Sequence, residues 1–475
     1  MHLVFRAAGF SALLLSSALT PIFAQAAPAA ETNQSASKLD PAKITDLVEK
    51  EVTRLGVPSA SVAVVVDGKI LTAITAGKSA LGPDRAASPT ARYAIGSNSK
   101  QFLAAALLLL QEDGKLSLDD KASKYFSDLG PAGEVTIRQM LSHTAGLTDF
   151  WPQDYVFAQM QHDTTPQKII DGWAKHKLDF APGSRWQYSN TGYVLAGMIL
   201  EKVSGQSVFD FLQSRIFKPL GMTSVVNFDQ GGLGTTDAVG YTRYGLGAWH
   251  PAAPEGKGWM FAAGELAMTA EDLARWDISI INQSLLKPAS YREFEKEVVL
   301  TNGLGSRYGL GLAVALSNER RVLSHGGEVS GFISQATIYP DQRVAIVVLT
   351  NADSNSAADV ITDKLKDLVL NGVSPADEVS AKVARAIFDG LREGKLDRTL
   401  FSSNANAYFS DAVITEISSS TSPLGKVKTF KLSRSGTRGG MDFRVYEVEL
   451  EKAKFQLITR ALPDGTLEQF MLFPK

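Results

Sequence analysis

One stretch limits the folds open to this chain more than any other. A polar turn at residues 94–100 is followed at once by an apolar run from Phe102 to Leu110, which predicts a buried helix. Ser97 falls in the first turn of that helix, and Lys100 lies three residues later on the same face. A helix N-terminus is electropositive and presents unpaired backbone N–H groups. Ser97 is therefore a candidate nucleophile with an amine within reach as its base.

The Ser-x-x-Lys spacing is weak evidence by itself, because two common residue types recur at a fixed distance by chance. Ser35 and Lys38 repeat the spacing in a polar linker with no apolar helix behind it. Other motifs of the chain must therefore separate the two matches.

Composition excludes several classes of protein. The 475 residues are 44% hydrophobic and 21% charged, with a formal net charge of −2, which allows a large core and two domains. The chain lacks basic runs interleaved with aromatic residues, so we expect no nucleic-acid partner. With no cysteine, six scattered histidines and no phosphate-binding glycine loop, we expect neither a metal site nor a cofactor.

The N-terminus has the layout of a signal peptide at residues 1–26. A charged start precedes an apolar run that ends in the small-x-small pattern of Ala24 and Ala26. The run is short and is interrupted by polar residues and Pro21, which favours cleavage near Ala26 over a stable membrane anchor. We expect export to a bacterial periplasm or medium, with residues 27–38 as a flexible linker.

Residues 39–372 are predicted to form one α+β domain, an antiparallel sheet flanked by helices with an all-helical region. β-Branched runs on both sides of Asp67 and Gly68 predict a hairpin near its start. Consecutive strands near its end predict one sheet closed by both ends of the domain. The predicted strands are 61–66, 70–75, 321–326, 332–339 and 344–349, and the predicted helices include 41–55, 136–142, 208–216, 270–281 and 357–370.

Two segments between the hairpin and the later strands are candidate parts of a functional site. Residues 182–205 predict a turn, a short extended piece and a helix, with Asn190 or Thr191 as the N-cap and Gly205 as the stop. Tyr188 stands directly ahead of this helix, at a fixed corner. The long Gly- and aromatic-rich segment 226–260 is expected to form a wall of a substrate cleft, because long loops are uncommon unless functional.

Residues 376–475 are predicted to form a second, small α+β domain. A helix at 379–391 comes first, and strands follow at 426–432, 442–450, 454–460 and 467–473. Its element order resembles the cone-shaped folds of the nuclear-transport-factor-2 type. We expect a packing module or a homodimer contact there rather than a second active site.

Three elements form a chemically coherent set: Ser97 with Lys100, Tyr188 with Asn190, and His325 ahead of two glycines. Ser97 would attack a carbonyl carbon, and a buried Lys100 would be partly neutral. The Tyr188 phenol, placed between cations, is a second candidate base as a phenolate. Which of the two accepts the proton in acylation stays open at this point. Gly327 would let a substrate approach the strand edge, and the backbone N–H groups of Ser97 and Glu328 are candidate oxyanion donors.

These motifs, in this order, resemble the serine β-lactamase-like superfamily over about residues 40–370. The superfamily contains class C β-lactamases, D-alanyl-D-alanine carboxypeptidases, D-aminopeptidases and related esterases. The resemblance also uses residues 141–147, which contain His143, and residues 262–274. It implies that Ser97 is the nucleophile, with Lys100, Tyr188 and Asn190 in the positions of the family's lysine, tyrosine and asparagine. His143 itself is expected to have a structural role.

The chain departs from the β-lactamases of this superfamily at one position. They usually carry Lys-Thr-Gly on the third strand, where the lysine helps to hold the substrate carboxylate, whereas this chain has His325, Gly326 and Gly327. We expect His325 to orient Tyr188 or the substrate.

The function that we predict is an exported serine hydrolase that acts through an acyl-enzyme on an ester or a D-amino-acid peptide or amide. Its partner would be a small molecule, a peptide or a peptidoglycan fragment. The alternatives are a β-lactamase or penicillin-binding carboxypeptidase, and a binding or regulatory protein that has lost turnover.

Overall fold

The computed structural model describes residues 39–153, 155–317, 320–370 and 375–474. The predicted signal peptide and linker lie outside these ranges. Over the described residues the chain is a mixed α+β structure, as the sequence predicts, with antiparallel sheets flanked by helices. Among the helices of these ranges, none combines the length and the apolar content that a bilayer crossing needs.

The first part of the chain contains eleven helices and twelve strands within the described ranges. The helices are α1 Pro41–Leu55, α2 Ser99–Glu112, α3 Ile137–Leu141, α4 Pro166–Ile169, α5 Asn190–Ser204, α6 Val208–Leu212, α7 Lys218–Leu220, α8 Phe228–Gly231, α9 Ala270–Asn282, α10 Pro288–Phe294 and α11 Ala357–Leu370. The strands are β1 Ser59–Val66, β2 Lys69–Ala80, β3 Arg85–Ala86, β4 Tyr93–Ala94, β5 Val226–Asn227, β6 Tyr241–Thr242, β7 His250–Pro251, β8 Leu266–Met268, β9 Ala313–Ser317, β10 Arg320–Val329, β11 Phe332–Tyr339 and β12 Val344–Thr350.

The main sheet has seven antiparallel strands in the order β3-β2-β1-β12-β11-β10-β9. The predicted hairpin is present: β1 and β2 are joined through Asp67 and Gly68, and both residues have the positive φ that a tight hairpin turn requires. β1 also pairs with β12, so strands from the two ends of this region close the sheet, as predicted.

The central strands are apolar on both faces because helices cover both sides of the sheet. Along β1, Val62 and Val64 belong to the core beneath α1 and α11. Ala63 and Val65 point to the other face and join the larger core around α2. This two-residue alternation follows from strand geometry, and it makes β1 buried at every position.

α2 is the buried helix that the apolar run predicts, and its residues from Ser99 to Leu110 are all buried. Ser97 lies one step earlier than expected, in a 3₁₀ turn at Gly96–Asn98 that leads directly into α2. Ser97, the candidate nucleophile, is thus held between a short strand, β4, and the buried helix α2.

Two predicted helix details differ from the structure. α5 has Ser189 as its N-cap, and Asn190 is its first residue, because the carboxylate of Asp149 accepts the Asn190 backbone N–H in place of a local cap. The predicted helix at 208–216 is α6 followed by a π-helical turn at Gln213–Phe217. Gly205 ends α5 with a left-handed φ, as predicted.

The C-terminal region has helices first and an antiparallel sheet afterwards, in the predicted order. Its elements are α12 Pro375–Arg392, α13 Ser403–Tyr408, α14 Asp411–Thr421, β13 Val427–Arg438, β14 Met441–Leu450, β15 Lys454–Ala461 and β16 Leu467–Pro474. The four strands pair in sequence order, and the region has a hydrophobic core of its own around Phe388 and Tyr446. The boundary at 376 and the resemblance to nuclear transport factor 2 stay predictions.

Asp277 gives a prediction about stability. It is buried in α9, and neither of its carboxylate oxygens is hydrogen-bonded. Burial raises its pKa well above the usual value of 3.8. The folded protein therefore keeps a proton that the unfolded chain releases, so stability falls as the pH rises above about 4. We expect Asp277→Asn, which cannot ionise, to raise the free energy of unfolding at pH 7.5 by about 1–3 kcal/mol.

Urea unfolding at pH 7.5 and at pH 4 measures this effect, with the exposed Asp46→Asn as the control. The gain should fall to about 0.5 kcal/mol at pH 4, where nearly half of the unfolded wild-type chains also hold the proton. An equal gain at both pH values would contradict the account.

Candidate active site

The turn that carries Ser97 is fixed by hydrogen bonds to two strands. The Ile95 N–H donates to the Leu266 carbonyl at 3.0 Å, which joins the turn to β8. Ser334 on β11 accepts from the Asn98 side chain at 2.8 Å and donates to the Ile95 carbonyl at 2.7 Å. These contacts attach the turn that carries Ser97 to regular elements of the fold.

Lys100 is fully buried, and its amine meets three oxygen atoms. Its Nζ lies 2.9 Å from the Ser97 Oγ, 2.8 Å from the Asn190 Oδ1 and 2.7 Å from the Ala263 carbonyl. Burial lowers the pKa of Lys100 from 10.5 to about 7, although the charge of Asp149 opposes the shift. At neutral pH a large fraction of the amine is therefore uncharged and able to accept the Ser97 proton.

Asp149 sets the orientation of Asn190, and the sequence-based search missed it. One carboxylate oxygen accepts the Asn190 backbone N–H at 2.9 Å, and the other accepts from the Asn190 Nδ2 at 3.3 Å. The Asn190 carbonyl oxygen is thereby turned towards Lys100. The one available signal was the position of Asp149, two residues after the 141–147 motif.

Tyr188 lies beside the nucleophile as a neutral phenol. Its hydroxyl is hydrogen-bonded to Ser97, and the Lys100 Nζ lies 5.0 Å from the centre of its ring. Burial raises the pKa of Tyr188, and the neighbouring histidines, His143 and His325, supply no positive charge to oppose the shift. The expectation of a phenolate between cations is therefore not met. The geometry favours Lys100 as the base and Tyr188 as a hydroxyl that relays protons.

His143 supports Tyr188 from behind. Its ring packs on the Tyr188 ring with centroids 4.1 Å apart, and its Nδ1 accepts the Ser189 N–H at 3.1 Å. Burial and the nearby Lys100 hold its pKa well below 6.5, so the ring is neutral. The positive φ of His143, unusual for a residue with a side chain, is part of this fixed arrangement.

His325 is hydrogen-bonded to Tyr308 rather than to Tyr188. Its Nδ1 lies against the Gly326 carbonyl, which can only accept, so the Nε2 accepts from the Tyr308 hydroxyl at 2.7 Å. Burial and Lys100 lower the pKa of His325 to about 3. Tyr308 was not identified from the sequence, where it precedes β9 in a glycine-rich segment with no distinctive spacing.

The two candidate oxyanion donors lie at one point of contact between β10 and the Ser97 turn. A Cβ on Gly327 would lie 2.0 Å from the Ile95 carbonyl oxygen and 2.9 Å from the Ser97 N. A Cβ on Gly96, which has a φ of +50°, would lie 2.8 Å from the Glu328 N. Both glycines are required for this close approach of the Ser97 turn to β10, which is the condition for the N–H groups of Ser97 and Glu328 to act on one oxyanion.

Ser97 opens into a cavity of about 1230 Å³. The predicted residues Tyr188, Asn190, His325, Gly327 and Glu328 all line it. The segment 226–260 supplies part of the cavity wall through Thr242, Arg243, Tyr244, Ala252, Ala253, Trp259 and Met260. That this cavity is a substrate cleft stays a prediction.

Comparison with known proteins shows which families and structures this chain resembles. A family model described as Beta-lactamase matches residues 44–371. Protein flp of Staphylococcus aureus (strain MRSA252) is 28% identical over 333 residues, which are 68% of this chain and 64% of that protein. The chain therefore spans less than two thirds of the length of this relative.

Two solved structures extend the comparison. A D-stereospecific amidohydrolase from Streptomyces sp. is 28% identical, with a TM-score of 0.60 over 70% of this chain and 99% of its own. An octameric penicillin-binding protein homologue from Pyrococcus abyssi has a TM-score of 0.61 over 91% of this chain and 99% of its own. At 20% identity the second shows the fold alone.

The Gly327 contact gives a prediction with a matched neighbour. Gly327→Ala should separate the strand from the Ser97 turn and slow covalent labelling of Ser97 by a fluorophosphonate about 10²–10³-fold, the usual effect of losing an oxyanion donor. Gly326→Ala is the control, because its Cβ would meet only the Gln335 side chain, at 3.1 Å, and the Ser334 carbonyl at 3.8 Å. The labelling rate is measured by intact mass. Equal rates for the two variants would contradict this role of Gly327.

Lys100 gives a prediction about pH. Because the neutral amine accepts the Ser97 proton, the labelling rate should rise with pH through a midpoint near 7, the pKa of Lys100. Lys100→Met should be slower by about 10²–10⁴-fold and lose this dependence. A wild-type rate that is constant between pH 5.5 and 8.5 would rule out Lys100 as the base.

Proposed function

This chain belongs to the beta-lactamase family, and on that premise we propose that it is a serine hydrolase that cleaves an amide, peptide or ester bond of a D-amino acid. The observation that carries the proposal is the buried Lys100 amine, which lies 2.9 Å from the Ser97 hydroxyl and has a pKa lowered to about 7. Such a pair supplies the nucleophile and the base of acyl transfer without a metal ligand or a cysteine.

Acylation follows from this geometry. The Ser97 oxygen attacks the substrate carbonyl carbon while its proton moves to Lys100, and the N–H groups of Ser97 and Glu328 stabilise the oxyanion. The Tyr188 hydroxyl, hydrogen-bonded to Ser97, passes its proton to the leaving amine or alcohol and receives in exchange the proton that Lys100 took from Ser97, so that both groups are neutral again. The carbon–leaving-group bond then breaks, and the acyl group stays on Ser97.

Deacylation reverses the proton movements. Water takes the place of the leaving group, gives a proton to the relay of Tyr188 and Lys100, and attacks the acyl carbon. Breakage of the bond to Ser97 releases the acid and restores the Ser97 hydroxyl.

The charge of the cavity supports a substrate with an ammonium group. Among the described residues of the lining, carboxylates outnumber cationic side chains. The carboxylates are Asp149, Asp179, Glu328, Asp353 and Asp359, against the guanidinium of Arg243. One oxygen of Asp353 is buried without a hydrogen-bond partner. Because a negative cavity attracts cations and repels anions, the free amino group of a D-amino acid amide suits it.

His325 on β10 supports the same choice of substrate. At the position where β-lactamases of the superfamily usually carry a lysine, this chain has His325, whose pKa of about 3 keeps it neutral. A substrate carboxylate gains no ion pair there. The D-stereospecific amidohydrolase from Streptomyces is consistent with an amide of a D-amino acid as the substrate.

One observation favours a second candidate, a β-lactamase or a penicillin-binding carboxypeptidase. Arg243 lines the cavity, and its guanidinium stacks 4.7 Å from the centre of the Trp249 ring while its Nε is buried without a hydrogen-bond partner. Rotation of this side chain could bring a positive charge to a substrate carboxylate.

We also propose export and a peptidoglycan fragment or other small peptide as the natural substrate, on the signal-peptide layout of residues 1–26. The C-terminal region remains a proposed packing or homodimer module.

The test compares the protein without residues 1–26 with its Ser97→Ala variant. D-Alanine p-nitroanilide should be hydrolysed at least about tenfold faster, in kcat/KM, than its N-acetyl derivative, which lacks the ammonium group; tenfold corresponds to about 1.4 kcal/mol. The L-isomer is the stereochemical control. An acyl adduct on the wild type alone, found by intact mass during a p-nitrophenyl butyrate burst, would support the mechanism.

Other outcomes would redirect the assignment. Turnover of nitrocefin that is lost in Arg243→Ala, with no hydrolysis of the D-amino acid amide, would favour the β-lactamase alternative. Binding of substrate analogues with no adduct and no dependence on Ser97 would favour the binding or regulatory protein.

A further inference from the structure

Glu265 is a buried carboxyl group that the reaction described above does not use. It stands at the start of β8, is 2% exposed, and does not line the cavity. Its Oε2 accepts from the Asn227 side chain at 2.8 Å, while its Oε1 is buried without a hydrogen-bond partner. The carboxyl group is therefore enclosed by the protein, with one oxygen paired and the other unpaired.

That segment supplies one of the three oxygen atoms that hold Lys100. The Ala263 carbonyl accepts from the Lys100 Nζ at 2.7 Å, and Ala262 has a φ of +56°, which is unfavourable for a residue with a Cβ. The backbone must be constrained from outside to keep this shape. The Ala262 N–H lies near enough to the Glu265 carboxyl to lower the pKa of that carboxyl, so the side chain is placed to contribute to that constraint.

A second buried carboxyl holds the other end of the segment. The carboxylate of Asp229 accepts the Gly258 N–H at 2.9 Å and the Met260 N–H at 3.1 Å. The Phe228 N–H donates to the Glu265 carbonyl at 3.0 Å, which joins the two ends through α8. Residues 258–265 are thus attached at both ends to the short elements β5 and α8.

We propose that Glu265 is a positioning residue for the hydrolase: its buried side chain holds the turn at 262–264, and the Ala263 carbonyl of that turn aligns Lys100 with Ser97. The proposal rests on the proposed function, and it adds a pH limit to the same site.

The surroundings of Glu265 favour the neutral form. Burial raises the pKa of Glu265 to about 8, and the charges of Asp229 and Glu201 add to the shift. The Asn227 side chain and the Ala262 N–H oppose it by favouring the carboxylate. Below pH 8 the group is therefore mostly a neutral acid that matches its apolar surroundings.

Ionisation would place a second negative charge beside Asp229. Two further carboxylates, Asp163 and Glu255, interact electrostatically with Asp229. The Lys100 amine, on the other side of the turn, is mostly neutral at that pH and does not compensate. Above pH 8, repulsion should loosen the turn and move the Ala263 carbonyl away from Lys100.

The experiment measures kcat and KM of the whole chain from pH 6 to pH 10 for the wild type, Glu265→Gln and Glu265→Ala, with p-nitrophenyl butyrate as substrate. The glutamine has the shape of the neutral acid and cannot ionise. Glu265→Gln should stay within about twofold of the wild type at pH 7 and keep its activity above pH 8, where the wild type declines. Glu265→Ala should lose about tenfold in kcat with little change in KM, because Lys100 acts in the chemical step.

Asp277→Asn is the matched control, since it also replaces a fully buried carboxyl but lies in α9, outside the turn. It should keep the alkaline decline of the wild type. If Glu265→Gln shows the same alkaline decline as the wild type, or Glu265→Ala keeps the wild-type kcat, the proposal is wrong. Should Glu265→Ala fail to fold, the pH profile of Glu265→Gln decides alone.

The proposed function fails in a different way. If the wild type forms no acyl adduct on Ser97 at any pH, the serine-hydrolase assignment is lost. A wild type that acylates normally, together with a Glu265→Gln profile that matches it, removes only the role of Glu265.

Discussion

The burial of a single amine is the constraint on which the rest of this structure depends. Lys100 has no exposure to solvent, and its Nζ is held by Ser97, Asn190 and the Ala263 carbonyl. Moving an ammonium group into such a place is costly, so the amine gives up its proton near neutral pH instead. The loss of charge turns a lysine into a base, and each of its three partners comes from a different part of the chain. The fold must therefore bring those parts together.

The large hydrophobic cores and the main sheet bring the partners of Lys100 together. α2 is buried along its length, which fixes Lys100, and the seven-stranded sheet places β10 against the Ser97 turn. The contact is so close that Gly327 and Gly96 leave no space for a side chain. Near the site, the Asp149 carboxylate orients Asn190 and also lines the cavity, while the buried Glu265 carboxyl is proposed to hold the turn that contacts Lys100. Stability and chemistry thus share the same interior polar groups.

The electrostatics of the cavity limit the kinds of substrate that it attracts. His325 is neutral and tied to Tyr308, and Arg243 stacks on Trp249. Carboxylates line much of the remaining wall. Recognition of a substrate carboxylate therefore has little support, whereas an ammonium group would be attracted. This balance is why the proposed substrate is a D-amino acid amide, peptide or ester rather than a β-lactam.

The sequence by itself determined the elements whose signals are local. The apolar run of α2, the Asp67-Gly68 turn and the order of the motifs are local patterns, because helix burial, turn geometry and chain order are written in neighbouring residues. It also supplied Ser97, Lys100, Tyr188 and Asn190 as one set. Only the tertiary structure decided their protonation, the roles of Asp149, Tyr308 and Glu265, and the neutral state of His325. Those properties depend on burial and on charges that lie far away in the chain, and no local pattern encodes either.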